Sequence, residues 1–461
     1  MKRLTASEIR ELLNAGEPGF ARGGGDFAVT SVCTDTRKIT KGCLFVPIVG
    51  ANFDGHEFID EAFAKGAAGA ISGRPGECRD RVISVPDTLD ALGRLASAYK
   101  ASLNVKTVAV TGSVGKTTTK EMTAAAVSAG FRTQKTAGNF NNNIGMPLTL
   151  LTVSPEHEAA VVEMGMSAAG EISALSRLAR PDIAIITNIG TSHIEYLGSR
   201  ENICKAKLEI LDGMKKGSVI ILNGDDPYLA DRPETEGFRV LYYGIRNPIA
   251  HVIAENVREE ARGVAFTAVY PGGRVEICCA MAGEHIVYDA LAAFSAALCM
   301  GVRPELAAKA ISEVLPEGMR QRVCTMGDVD VIMDCYNANP DSMNAALKVL
   351  SAKSGRRIAL LGDMLELGSY SETAHTELGK TAAQSADILV AVGRFASCVA
   401  AGAKRAGMAG ERVFTPERSN APDLLYGILR PGDTVLVKGS RGMKMEDIMA
   451  DCEQKMKHGT V

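Results

Sequence analysis

The chain has 461 residues, 46% of them hydrophobic and 23% charged, with a formal net charge of −3. That length is more than one hydrophobic core organises, so several domains are expected, and the near-balanced charge gives no electrostatic footprint for nucleic acid. No apolar run reaches the ~18 residues that cross a bilayer, which excludes a membrane span and points to a cytoplasmic protein.

The chain opens on MKRLTASEIRELLNAG, an amphipathic pattern that predicts a helix rather than a signal peptide. Residues 1–100 then alternate apolar runs (CLFVPIV, GAAGAIS, RVISV) with helical patterns, the signature of a small α/β unit. Its polar residues gather in two loops, Thr34 to Arg37 and Gly50 to His56, which fit a ligand held at strand ends and fit solvated turns equally well. The eleven cysteines form no CxxC pair and no zinc spacing, and read as reduced, mostly buried small hydrophobes.

In the next unit, residues 101–313, the apolar strand of KTVAVTGSVGKTTTKE breaks at Thr111-Gly112 and a helix starts after Gly115-Lys116-Thr117. This is a phosphate cradle. Glycines let backbone N–H groups close on an anion, the helix start faces it, a lysine adds counter-charge and a threonine hydroxyl suits Mg²⁺. The first glycine of the usual P-loop pattern is replaced by Val110, and seven of eight positions are satisfied or permissive. Two further apolar runs end in Glu163 and in TNIGTSH, closing with His193. In a doubly wound sheet these strand ends share an edge, so Lys116, Glu163 and His193 are expected to converge. The asparagine-rich stretch Gly138 to Gly145 reads as turns, VAFTAVY-PGG-RVEICCAM as a structural hairpin, and the segment from His285 as an alanine-rich helix.

The third unit, residues 314–461, reads as another doubly wound, Rossmann-like sheet, with runs VDVIM, RRIALLG, DILVAVG and DTVLVKG. Three strand-end loops, DCYNANP, GDMLELG and KGSR, should line a crevice facing the P-loop unit, an arrangement that suggests closure over a site and an open form before ligands bind.

With those stretches in hand, the chain resembles the Mur ligase family over nearly its whole length. DTRK, GCLFVPIVGANFDGHEF, TGSVGKTTTKE, GNFNNNIGMPLTL, VVEMGMSAAGEI, TNIGTSHIEYLGSRENICKAKLEI and VKGSRGMKME carry the resemblance, and DCYNANPDSM with GDMLELG is the subfamily signal. The resemblance implies ATP-dependent amide ligation through an acyl phosphate, with ATP and two Mg²⁺ ions as cofactors. It implies UDP-N-acetylmuramoyl-tripeptide and D-alanyl-D-alanine as substrates, leaving lysine and diaminopimelate both open as the third residue, and a monomer is expected. Gly112, Ser113, Val114, Gly115, Lys116, Thr117, Thr118, Arg320, Asp334 and Asn337 would hold ATP. Asp35, Thr36, Arg37, Asn52 and His56 would receive the UDP-sugar, and Asp363, Glu366, Lys438 and Ser440 the peptide ends. Thr117, Glu163 and His193 would be metal ligands, Glu163 and His193 for the second ion. The sequence departs from the family at Ile286 and Asp289, where asparagines are common, and at Ser113-Val114. A folylpolyglutamate synthetase-like ligase lacks the front loops, and a switch GTPase would need an N/TKxD motif that is not found.

Lys207 completes the expected catalytic set of Lys116, Glu163, His193 and Lys207. Ile203, Ile210, Leu211 and Met214 fall on one helical face with Lys207 inside the stripe, while Lys205 points away. Desolvation lowers a lysine pKa and exposes a neutral amine able to take up CO₂. The resemblance implies that Lys207 is carbamylated and helps to hold the second Mg²⁺; the alternative is a lysine snorkelling to solvent.

Overall fold

The structure, a computed structural model, describes residues 1–74, 80–230, 232–260 and 263–458. Three α/β layers follow one another along the chain. The first holds a five-stranded sheet in the spatial order Arg22–Gly23, Val82–Ser84, Gly69–Ser72, Cys43–Phe45, Ser31–Cys33, plus a small ladder of Leu4–Thr5 with Ala28–Val29. The N-terminal helix begins later than its amphipathic pattern suggests, at Ala6, because Thr5 caps it: its hydroxyl accepts from the Glu8 N–H while Glu8 reaches back to the Thr5 N–H.

The central sheet has nine strands. Its parallel part places Lys106–Thr111, which feeds the cradle, between Ala159–Glu163 and Ile183–Ile186, with Glu163 opposite Val110 and Ile186 opposite Thr111. These strands are buried on both faces, as parallel sheets are, so they read as unbroken apolar runs. Beyond Arg239–Gly244 and Val252–Glu260 the sheet continues antiparallel through Gly263–Tyr270 and Gly273–Cys279, the expected hairpin. The expected helix runs Glu284–Met300.

The third sheet orders its strands Arg322–Met326, Val329–Met333, Thr434–Lys438, Arg357–Leu361, Ile388–Ala391, Val413–Phe414. Only Arg322–Met326 is antiparallel, an edge strand whose exposed pattern hid it in the sequence. Its polar loops meet the central sheet, so the arrangement described is a docked one.

One apolar cluster joins the first two layers: Leu4, Ile9, Leu92 and Leu95 from the first pack with Leu150, Ile172, Leu175 and Leu222 from the second. Tyr99 sits at that seam, its hydroxyl donating to the Val153 carbonyl at 2.8 Å and accepting from the Lys2 N–H at 2.9 Å. Of the ten described cysteines all are free thiols, but only Cys43, Cys204, Cys279, Cys335 and Cys452 are buried, while Cys278 and Cys324 are exposed; the expectation of a mostly buried set holds for half, and Cys78 lies outside the described residues.

Candidate active site

A cavity of about 830 Å³ opens where the central strands end, lined on one side by the cradle and on the other by the third sheet's loops. The helix Lys116–Ser128 starts from Gly115, whose φ is +84° and whose absent Cβ would lie 2.3 Å from Asp289 Oδ1. No other residue fits there. The first-turn N–H groups of Lys116, Thr117 and Thr118 have no intrahelical acceptor, and all three residues line the cavity. Ser113 and Val114 also line it, but their N–H groups are taken by the Asn188 carbonyl and side chain, both at 3.0 Å, so the anion-facing donors come from the helix start rather than from these two residues. Lys116 Nζ folds back on the carbonyls of Gly112 at 2.8 Å and Ser113 at 3.3 Å, and burial lowers its pKa.

Glu163, at a buried strand end, gives Oε1 to the Asn141 amide at 2.8 Å, while Oε2 is buried with no hydrogen-bond partner. An orphaned carboxylate oxygen is costly unless something cationic meets it. His193 lies across the cavity in left-handed backbone, φ +63°, with Nδ1 2.8 Å from Glu366 Oε2, close but off the line of a hydrogen bond. Burial, then the charges of Lys116 and Lys207, push its pKa down to about 4, so the imidazole is neutral near pH 7 and able to ligate. Lys207 is 1% exposed, and burial with the Lys116 charge drives its pKa well below the ordinary lysine value, while Lys205 is exposed. The stripe reading therefore holds and the snorkelling alternative does not, although the segment tightens to a 3-10 helix at Glu209–Gly213. Among the described residues no cluster of three or more His, Cys, Asp or Glu is set to hold a metal by itself. Glu163, neutral His193 and the Thr117 hydroxyl fit Mg²⁺, which takes few protein ligands and fills its shell with water and phosphate oxygens.

From the third sheet, Arg320, Asp334, Asn337, Glu366 and Lys438 all line the cavity, and the Arg320 guanidinium stacks 3.6 Å over the Tyr336 ring. Three peptide-end expectations are not borne out in this geometry. Lys438 Nζ is spent on Asp334 Oδ2 at 2.7 Å and on the carbonyls of Asp334 and Asn337, so it braces that loop. The Asp363 carboxylate accepts from the N–H groups of Arg394 and Phe395, and Ser440 Oγ accepts from the Leu365 N–H; both hold loops together away from the cavity lining. Of the four, Glu366 alone presents an uncommitted carboxylate oxygen to the cavity.

The front loops lie apart from this cavity. Arg37 and Asp35 pair at 2.8 Å, which holds the Asp35 carboxyl down at about 2, and Thr36 gives its carbonyl to Lys65. His56 is buried between Asp54, 2.6 Å from Nδ1, and the Gly73 N–H, which donates to Nε2 at 3.0 Å, so it fastens its loop instead of facing a ligand. Asn52 and Phe53 are exposed.

The sequence reading missed Asn141, which aims Glu163; its signal was a buried-strand carboxylate in need of a donor. It also missed His285 and Gln321, 2.5 Å apart on the cavity wall; Asp289, noted only as a departure from the family, turns out to accept from the Thr119 hydroxyl through Oδ1 at 2.9 Å.

Three family models match the chain: "Mur ligase family, catalytic domain" over residues 28–100, "Mur ligase middle domain" over 110–297, and "Mur ligase, glutamate ligase domain" over 319–441. A UDP-N-acetylmuramoyl-tripeptide–D-alanyl-D-alanine ligase of Bacillus subtilis is 41% identical over 434 residues, covering 92% of this chain and 93% of that protein. A crystal structure of MurF from Acinetobacter baumannii superposes with TM-score 0.88 at 32% identity, covering 97% and 98% of the two chains. MurF ligase from Thermotoga maritima in complex with ADP gives TM-score 0.84 at 25% identity, covering 94% and 99%.

Proposed function

The chain belongs to the Mur ligase family, and from that premise we propose that it joins D-alanyl-D-alanine to UDP-N-acetylmuramoyl-tripeptide at the expense of ATP, releasing ADP and phosphate. The observation that carries the reading is the pairing, across one cavity, of a phosphate cradle with an orphaned carboxylate and a neutral imidazole. We assign residues 1–100 to the UDP-sugar, 101–313 to ATP and 314–461 to closure and the incoming dipeptide.

The γ-phosphoryl of ATP passes to the terminal carboxylate of the tripeptide. The dipeptide amine then attacks the carbonyl carbon of that acyl phosphate, and the tetrahedral adduct expels phosphate. Lys116 and the first-turn N–H groups stabilise charge on the phosphates, the dominant need in such a transfer. Thr117, Glu163, His193 and a carbamylated Lys207 would hold Mg²⁺, which when bound offsets the repulsion between an attacking carboxylate and a polyanion. Arg320, Asp334 and Asn337 bind the nucleotide from the third domain, and Glu366 faces the incoming amine. We infer a cytoplasmic reaction from the two nucleotide substrates of this reading. No helix among the described residues is long and apolar enough to cross a membrane.

ADP release should require both the muramoyl tripeptide and D-alanyl-D-alanine, with the pentapeptide product seen by mass. Turnover with either substrate alone would overturn the assignment, and running lysine and diaminopimelate tripeptides side by side sets the third residue.

A further inference from the structure

The helix Pro340–Ser351 of the third domain is capped by Asn339, whose Oδ1 accepts the Ser342 N–H at 2.8 Å. The other half of the same amide leaves the domain: Nδ2 donates to Ser192 Oγ at 2.5 Å, and Asn339 is buried. Two residues further on, within the first turn, Asp341 Oδ2 accepts the Thr191 N–H at 3.1 Å. This contact needs Gly190, because a Cβ there would stand 2.2 Å from Asp341 Oδ2. Gly190 is not in the left-handed region, so its backbone would accept alanine; the docked carboxylate is the severest obstacle, with Ser113 Cβ at 3.2 Å a tight second contact.

The receiving loop is in turn bonded to the cradle. The Gly190 N–H donates to Ser113 Oγ at 2.8 Å and Ser192 Oγ donates to the Ser113 carbonyl at 3.2 Å. The next residue after Ser192 is His193, and Asn337 lies two residues before Asn339, both on the cavity wall. We propose that Asn339 and Asp341 are positioning residues that seat the third domain on the loop Gly190 to Ser192, with Gly190 kept bare to admit them, so that docking and the nucleotide cradle are set as one hydrogen-bonded unit. The consequence for catalysis rests on the ligase reading; the docking does not.

The test compares Gly190→Ala, Asn339→Asp and Asp341→Ala with the parent. Asn339→Asp keeps the cap acceptor and loses the interdomain donor, so the helix survives if Gly190→Ala misfolds. Each should raise the radius of gyration in solution scattering, lower kcat by about tenfold or more and weaken ATP in direct titration, because the third-domain nucleotide contacts part from the cradle together with the loop. Asp341→Asn, which keeps an acceptor oxygen, should recover part of the loss seen in Asp341→Ala. An unchanged radius in both Gly190→Ala and Asn339→Asp, or no recovery in Asp341→Asn, overturns the proposal. A parent without ligase activity would overturn the reading of the reaction instead, since scattering still reports docking.

Discussion

The cradle and the front loops are both polar strand-end loops in this chain, yet they treat their polar groups in opposite ways. In the front loops charges satisfy one another: Asp35 with Arg37, Asp54 with His56 and Arg74. Around the cradle, Glu163 Oε2 has no partner, Lys207 is buried with a depressed pKa, and Asp289 is held protonated with its pKa raised to about 8 by burial. Self-satisfied loops are stable by themselves and bind weakly through what remains exposed. Unsatisfied buried groups cost stability and are the places where charge chemistry is strongest.

The contrast breaks first at Lys116. Lys116→Ala should lower kcat by about 10³-fold, roughly 4 kcal/mol of transition-state stabilisation, with little change in thermal midpoint. Activity within about tenfold of the parent would remove the lysine from phosphate chemistry. Lys207→Ala should cost about 10²-fold and be partly restored by short carboxylates, which can occupy the vacated space with negative charge. Near-parental activity without additive makes the residue a bystander.

Asp289 sharpens the contrast through pH. Its folded pKa of about 8 lies above the ordinary carboxyl value of 3.8, so the folded state binds more protons across that window and its stability falls as pH rises from about 4 to about 8. Asp289→Asn, which still accepts from Thr119, should stabilise the protein by about 1–3 kcal/mol at pH 8 and hardly at all at pH 4. Denaturant midpoints at the two pH values decide it, and an equal shift at both would mean that the carboxyl is not held protonated. The smallest effect belongs to the front loops. Arg37→Ala should weaken the UDP-sugar substrate about tenfold and leave ATP binding unchanged, whereas a matching loss of both affinities would erase the distinction between the two regions.

Much of this was legible because it is local. The cradle, the strand ending in Glu163 and the buried stripe around Lys207 are each written within a short segment, where periodicity and turn chemistry act. The partners of polar side chains are not local. Lys438 looked free for substrate because Asp334, 104 residues away, could not be seen as its mate, and Asn339 was not singled out because its partner Ser192 lies 147 residues away. His56 was misjudged for a related reason: its fastening to the Gly73 N–H is set by how two loops meet. Sequence shows which groups are reactive, and the fold decides which of them are already spent.

The seam at Tyr99 makes the first hundred residues less separable than their sequence boundary suggests. With Leu92 and Leu95 in one buried cluster with Leu150, Ile172 and Leu175, the two front layers are expected to unfold as a single cooperative block on heating. A fragment starting at residue 101 should carry that apolar seam into water and precipitate, while a fragment ending at residue 313 should keep it covered, so calorimetry is expected to show two melting units where the sequence marks three modules.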